Sequence, residues 1–291
     1  MRQRSFTKEQ ELRICEEYKA GTSSISLAKK YNVHSSTVIQ AIRANNNKVR
    51  TVGEARRKYT YNHSFFKNID TEAKAYFLGL ILADGCVRNS VLEIGLQRKD
   101  RHILEAFVSC INGDNSIKDF MWKAGGFSKS SSPCSRLTIT SAEMVADLKT
   151  HGIVDRKTYD ICMPVLATEL QTHFWRGVWD GDGYISLYDR KNKRVFKDNT
   201  IKEYVYKTIE VGICGHLNTC SAFQEFLTVN NIEFEKMRPC SSIFFLRPKH
   251  RDSIKFLDLI YRDSDPKLCL KRKYAKYQEY LEYKKVNEKS K

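Results

Sequence analysis

Two aspartates, Asp84 and Asp182, each sit at the end of an apolar run and precede a glycine. The runs are Phe77-Leu-Gly-Leu-Ile-Leu-Ala-Asp-Gly85 and Trp175-Arg-Gly-Val-Trp-Asp-Gly-Asp-Gly183. In each, small residues stand four apart, Gly79 with Ala83 and Gly177 with Gly181, and residues at that spacing share one helix face. Two such faces can pack with their backbones close, which brings both helix ends to one place. A carboxylate at a helix C-terminus meets the negative end of the helix dipole, at a cost of about 0.3–1 kcal/mol. A second carboxylate beside it adds repulsion. A divalent cation held between them removes both penalties, so the pattern points to a metal site between two helices. Oxygen donors without a soft-ligand cluster favour Mg²⁺, with Mn²⁺ as the alternative. The glycines that follow, Gly85 and Gly183, are expected in the left-handed conformation that closes a helix.

The stretches that position these aspartates repeat. After Asp84 comes the alternating stretch Leu92-Glu-Ile-Gly-Leu96, and after Asp182 comes Ile209-Glu-Val-Gly-Ile213. Helices follow, carrying Ile103, Leu104 and Phe107 in one copy and Phe223, Phe226 and Leu227 in the other. Two short strands come next, 116–123 with 136–140 and 233–238 with 242–247. Each unit is thus helix, two strands, helix, two strands, helix, and two such units are expected about a pseudo-two-fold axis. The second copy is longer, with 27 residues from Asp182 to Ile209 against 8 from Asp84 to Leu92. Most of the excess is the basic stretch 189–207, expected as a long hairpin. Arg190, Lys191, Lys193, Arg194, Lys197 and Lys207 on it are candidates for contact with a DNA major groove.

The two runs resemble the motif of the LAGLIDADG homing endonucleases, in the two-motif, single-chain form of that family. Leu78-Gly79-Leu80-Ile81 and Gly177-Val178-Trp179-Asp180 lead into Ala83-Asp84-Gly85 and Gly181-Asp182-Gly183. Leu82 departs from the pattern, since the family often has an aspartate there and the second copy keeps it as Asp180. The resemblance covers residues from about 71 to 285. It implies an α+β fold of two pseudo-symmetric αββαββα repeats with saddle-like antiparallel sheets, straddling double-stranded DNA as a monomeric pseudo-dimer. It also implies metal-dependent hydrolysis of both strands of a long, asymmetric target by the nuclease of a mobile element such as an intron. Asp84 and Asp182 become catalytic metal ligands, with the carbonyls of Ala83 and Gly181 as further oxygens. The family's basic residue in each half falls on Lys157 and Lys271, and Lys273 competes with Lys271. An RNA splicing maturase with intron RNA as partner, or a non-cleaving DNA-binding regulator, is the alternative function.

The segment before the repeats has its own pattern. Thr7 with Gln10 forms a capping box, and Leu12, Ile14, Cys15 and Tyr18 make a helical stripe that stops at Gly21. A second helix is expected from Ser24 to Lys30, a left-handed turn at Asn32, and a third helix from Thr37 to Arg43 capped by Ser35. This resembles a helix-turn-helix, an all-α module over residues 1–47, with Ser35, Ser36, Thr37, Gln40 and Arg43 facing a groove. Residues 48–70 read as a basic linker in which Arg56 and Arg57 lie along DNA. Repeat 1 then covers 71–165, repeat 2 covers 166–285, and 286–291 is a basic tail.

Charge agrees with a polyanionic partner: 50 basic against 34 acidic residues give a net charge of +16 over 291 residues. Residues 1–60 carry 13 basic and 5 acidic side chains, half of that excess. Nine scattered cysteines and the absence of a secretory signal suit a reduced compartment, cytoplasmic or organellar. The longest apolar run, around Tyr76 to Leu82, is far short of the ~18 residues of a membrane span.

Overall fold

The computed structural model describes residues 6–51, 59–123, 130–155 and 162–288. The chain forms two compact units, 1–59 and 60–291.

The small unit contains α1 (Lys8–Lys19), α2 (Ser24–Lys30) and α3 (Ser35–Ala44). The Thr7–Gln10 capping box is present, and Asn32 has φ 51°, which an asparagine tolerates better than most residues. His34 rather than Ser35 caps α3, its ring accepting from the Ser36 backbone N–H. Ile14, Cys15 and Tyr18 of α1 bury against Leu27, Ala28, Val38, Ala41 and Ile42. Arg50 lies over the Tyr18 ring at 4.1 Å and donates to the carbonyls of Gly21 and Thr22, so the chain after α3 is strapped back onto α1.

The large unit starts earlier than the charge pattern suggests. Phe65 and Phe66 are buried against Phe107, Tyr61 donates to the Thr140 carbonyl, and the Thr60 backbone donates to Asp114. The expected linker 48–70 is therefore corrected: from Thr60 onward it belongs to the large unit, because its aromatic side chains outweigh the flanking charge. Arg56 and Arg57 lie outside the described residues.

The first repeat runs α4 (Glu72–Asp84), β1 (Gly85–Arg88), β2 (Val91–Gln97), α5 (Arg101–Cys110), β3 (Lys118–Trp122), β4 (Ser132–Thr140) and α6 (Ala142–Thr150). The second runs α7 (Thr168–Asp182), β5 (Gly183–Val195), β6 (Ile201–Gly215), α8 (Leu217–Val229), β7 (Arg238–Cys240), β8 (Ile243–Leu246) and α9 (Ser253–Tyr261), followed by α10 (Lys271–Glu288). Each sheet is antiparallel with equivalent order, β1-β2-β4-β3 and β5-β6-β8-β7. This is the αββαββα duplication expected from the repeats. Strand β7 is shorter than expected: residues 233–237 contribute only an isolated bridge, Phe234 to Pro248.

Alternation sets the sheet faces. Leu92, Ile94, Leu96, Leu137 and Ile139 turn into the core from the first sheet, and Ile209, Val211, Ile213 and Leu246 from the second. The basic stretch is a regular hairpin, paired from Gly183–Ile213 out to Val195–Ile201.

Candidate functional site where two helices meet

Helix α4 is buried continuously from Ala75 to Leu82 and α7 from Phe174 to Asp180, because each packs on the other as well as on its own sheet. The glycines allow this approach. A Cβ on Gly177 would fall on the Tyr76 carbonyl and lie 2.8 Å from the Leu80 nitrogen. A Cβ on Gly79 would meet Phe174 and Val178 in the mirror arrangement. One turn on, a Cβ on Gly181 would collide with the Ala83 methyl and stand 3.1 Å from Oδ2 of Asp84. Asp84 thus points its carboxylate at Gly181, in the last turn of α7. The two aspartates nearly a hundred residues apart end packed helices at one place.

Gly85 and Gly183 are not left-handed, which corrects the sequence reading. Their φ, ψ are −78°, 150° and −92°, 161°, so the chain passes straight from helix into strand. They are needed for space: a Cβ on Gly85 would press on the Ile81 side chain at 2.6 Å, and one on Gly183 on the Trp179 ring.

The first motif aspartate is structural. Asp180 is 1% exposed and accepts from the Tyr76 hydroxyl at 2.9 Å and the Leu270 backbone N–H at 3.0 Å. Burial raises its pKa, opposed mainly by Lys273. Lys273 is 1% exposed. Its ammonium donates to the carbonyls of Trp179 at 2.5 Å, Asp180 at 3.0 Å and Gly183 at 2.6 Å. Those three bonds use all three ammonium donors, so Lys273 clamps the carbonyl end of α7. Burial pushes its pKa down to about 8, while Asp180 and Asp84 pull it up.

Lys271, chosen from sequence, is exposed at the start of α10, whereas Lys273 reaches the motif. Two residues apart on a helix means opposite faces, and Leu268, Cys269 and Leu270 are buried just before. Lys157 lies outside the described residues. Sequence reasoning missed Arg176, which is fully buried and donates to Glu72 at 2.6 Å and to the carbonyls of Leu268 and Ile260. It ties the start of α4 to the segment before α10. Its only sequence signal was a charge inside the apolar run from Phe174 to Trp179.

A cavity of about 320 Å³ lies against Asp84 and Gly181, bounded by Gly95, Gln97, Trp122 and Arg272. The outward face of the first sheet leads through it to Asp84. Oxygen donors of the kind found here, a carboxylate and the carbonyls of helix ends, are those a hard divalent cation takes. Among the described residues no cluster of three or more His, Cys, Asp or Glu could hold a metal alone.

The pleat divides the hairpin's candidates. Arg190 and Arg194 share the outward face with Tyr206 and Lys202, their cross-strand partners. Lys191, Lys193 and Lys207 are on the other face. Lys191 and Lys193 approach Glu203 at 3.7 and 3.9 Å, and Lys207 pairs with Glu279 of α10 at 2.9 Å. Lys197 is exposed in the tight tip. On α3, Ser36, Gln40 and Arg43 are exposed on one face, while Ser35 and Thr37 are half-buried.

Two αββαββα repeats with equivalent sheets, joined at a close helix pair, give the chain the LAGLIDADG fold in its two-repeat form. No family model matches it, and no curated protein does. Among solved structures it is similar to I-SmaMI bound to an uncleaved DNA target in the presence of calcium ions, with 14% identity, a TM-score of 0.45, and coverage of 75% of this chain and 90% of that one. It is similar to the LAGLIDADG meganuclease I-CpaMI bound to uncleaved DNA, with 12% identity, TM-score 0.43, and coverage of 75% and 91%. For the LAGLIDADG meganuclease I-AabMI bound to uncleaved DNA the values are 12%, 0.42, 63% and 82%.

Proposed function

We propose that this chain is a metal-dependent DNA endonuclease of the LAGLIDADG type, cutting both strands of a double-stranded target where α4 and α7 end. The observation that carries this reading is the approach of Asp84 to Gly181, the residue before Asp182, at helix ends that disfavour negative charge. A divalent cation, Mg²⁺ or Mn²⁺, held by Asp84, Asp182 and the carbonyls of Ala83 and Gly181, would supply charge neutralisation and an activated water. The chain's own part is positional. Gly79 and Gly177 let the helices close, Asp180 and Lys273 fix the last turn of α7, and the cavity beside Asp84 gives a phosphate access. Arg190 and Arg194 on the hairpin's outward face, with Lys197 at its tip, extend a basic surface suited to a major groove. In the small unit, Ser36, Gln40 and Arg43 form the face of a helix-turn-helix-like module that would contact further DNA.

The test is incubation of the purified full chain with a randomised double-stranded DNA library and Mg²⁺. The expected result is recovery of molecules cut on both strands at a recurring sequence, with cutting abolished by a chelator. Sequence-independent degradation, or cutting indifferent to the chelator, would contradict the proposal.

A further inference from the structure

The duplicated stretches Glu93-Ile-Gly95 and Glu210-Val-Gly212 are not in equivalent places. Gly85, next to Asp84, pairs with Ile94, and Ile94 with Leu137. Gly183, next to Asp182, pairs with Ile213, and Ile213 with Leu246. Ile94 and Ile213 are therefore the matching rungs, whereas the sequences align Ile94 with Val211. The second stretch has slipped by two residues, which keeps the same face outward.

Each sheet nonetheless carries one outward arginine bound to the glutamate of its stretch. Arg136 faces Gly95 and pairs with Glu93 at 3.4 Å, its guanidinium stacked on Phe120 at 4.6 Å. Arg247 follows Leu246, beside Gly212, and pairs with Glu210 at 2.7 Å and with Glu235 at 2.9 Å. Both side chains are about one-third exposed. Arg136 stands one rung from Ile94 towards the cavity beside Asp84, which Gly95 lines. Arg247 stands one rung from Ile213 in the opposite sense.

Resting on the nuclease reading, we propose that Arg136 and Arg247 are specificity-determining residues, each reading a guanine, and that the slip sets the Arg136 guanine about two base pairs nearer the cut. A guanidinium already neutralised by a carboxylate adds little to phosphate attraction. Held flat by a ring or by two carboxylates, it keeps the planar fork that matches guanine O6 and N7. Two rungs at about 3.4 Å each span about two base-pair steps along a groove. The two half-sites would then be unequal in spacing as well as in sequence.

The experiment compares the cut-site profile of the full chain with those of Arg136→Gln, Arg247→Gln and Arg136→Lys, using the randomised library. Each glutamine variant is expected to lose guanine preference about tenfold at one position, in one half-site, with the salt dependence of binding unchanged. The two positions should differ by about two base pairs in distance from the cut, and lysine should not restore the first. Unchanged preferences, equidistant positions, or a uniform loss of binding with a salt slope lower by about one would overturn the assignment while leaving the nuclease reading intact. A library from which the unaltered chain recovers no sequence overturns that reading and this one with it.

Discussion

The hydroxyl of Tyr76 in the first repeat donates to the carboxylate of Asp180 in the second at 2.9 Å, inside the helix pair. That bond explains why only one copy of the motif keeps this aspartate. Asp180 serves Tyr76, the Leu270 N–H and Lys273, and Leu82 in the other copy is simply core. Tyr76→Phe should lower stability by about 1–2 kcal/mol in urea unfolding, the range for a lost buried hydrogen bond. Asp180→Leu should cost about 3–5 kcal/mol, because it strands the buried ammonium of Lys273. Equal effects of the two substitutions would show that Asp180 does not support Lys273.

Gly177→Ala should be among the most damaging single-methyl additions in the chain. Its Cβ would fall on the Tyr76 carbonyl, backbone that cannot move without separating the helices. A loss of about 3 kcal/mol or more is expected in the same assay. Gly95→Ala, where a Cβ meets nothing within 4 Å, is the control and should change little.

Alkaline pH should unfold the large unit. Burial raises the pKa of Tyr76, Tyr261 and Tyr277, and that of Tyr184 to about 12. Unfolded tyrosine titrates near 10, so these groups contribute stability that is complete below about pH 10 and is lost as pH rises through the folded values. Lys273, pushed down to about 8, acts in the opposite sense between that value and the ordinary lysine range. Phenolate absorbance should therefore rise together with loss of structure above about pH 10. Full ionisation of these tyrosines near pH 10 with the fold intact would contradict the assigned burial.

Removing residues 1–59 should leave a folded protein with the proposed cleavage chemistry, since the two units have separate cores. DNA affinity should fall and the protected footprint shorten. Loss of metal-dependent nicking in the truncated chain would show that the small unit is needed for chemistry.

The helix pair, the duplicated strands and the long hairpin were legible because small residues four apart and alternating aliphatics have few other uses. What escaped depended on tertiary phase. The Glu-x-Gly repeat gave no sign of its two-residue slip, because a slip of two keeps every side chain on its face. Lys271 and Lys273 differ only in which side of α10 they occupy, and that is set by how Leu268 and Leu270 bury. Charge counts hid Phe65 and Phe66, which carry 60–70 into the core. The glycines of the motif were recognised as necessary, but for conformation, when closeness to Ile81 and Trp179 is the cause.

The most direct test of a shared site is cleavage by Asp84→Asn and Asp182→Asn of a supercoiled plasmid carrying the selected target. Each variant should lose double-strand cutting by a factor on the order of 10² or more, with DNA affinity within a few-fold of the unaltered chain. A variant that still linearises the plasmid at a near-normal rate would contradict the claim that these two carboxylates work at one place.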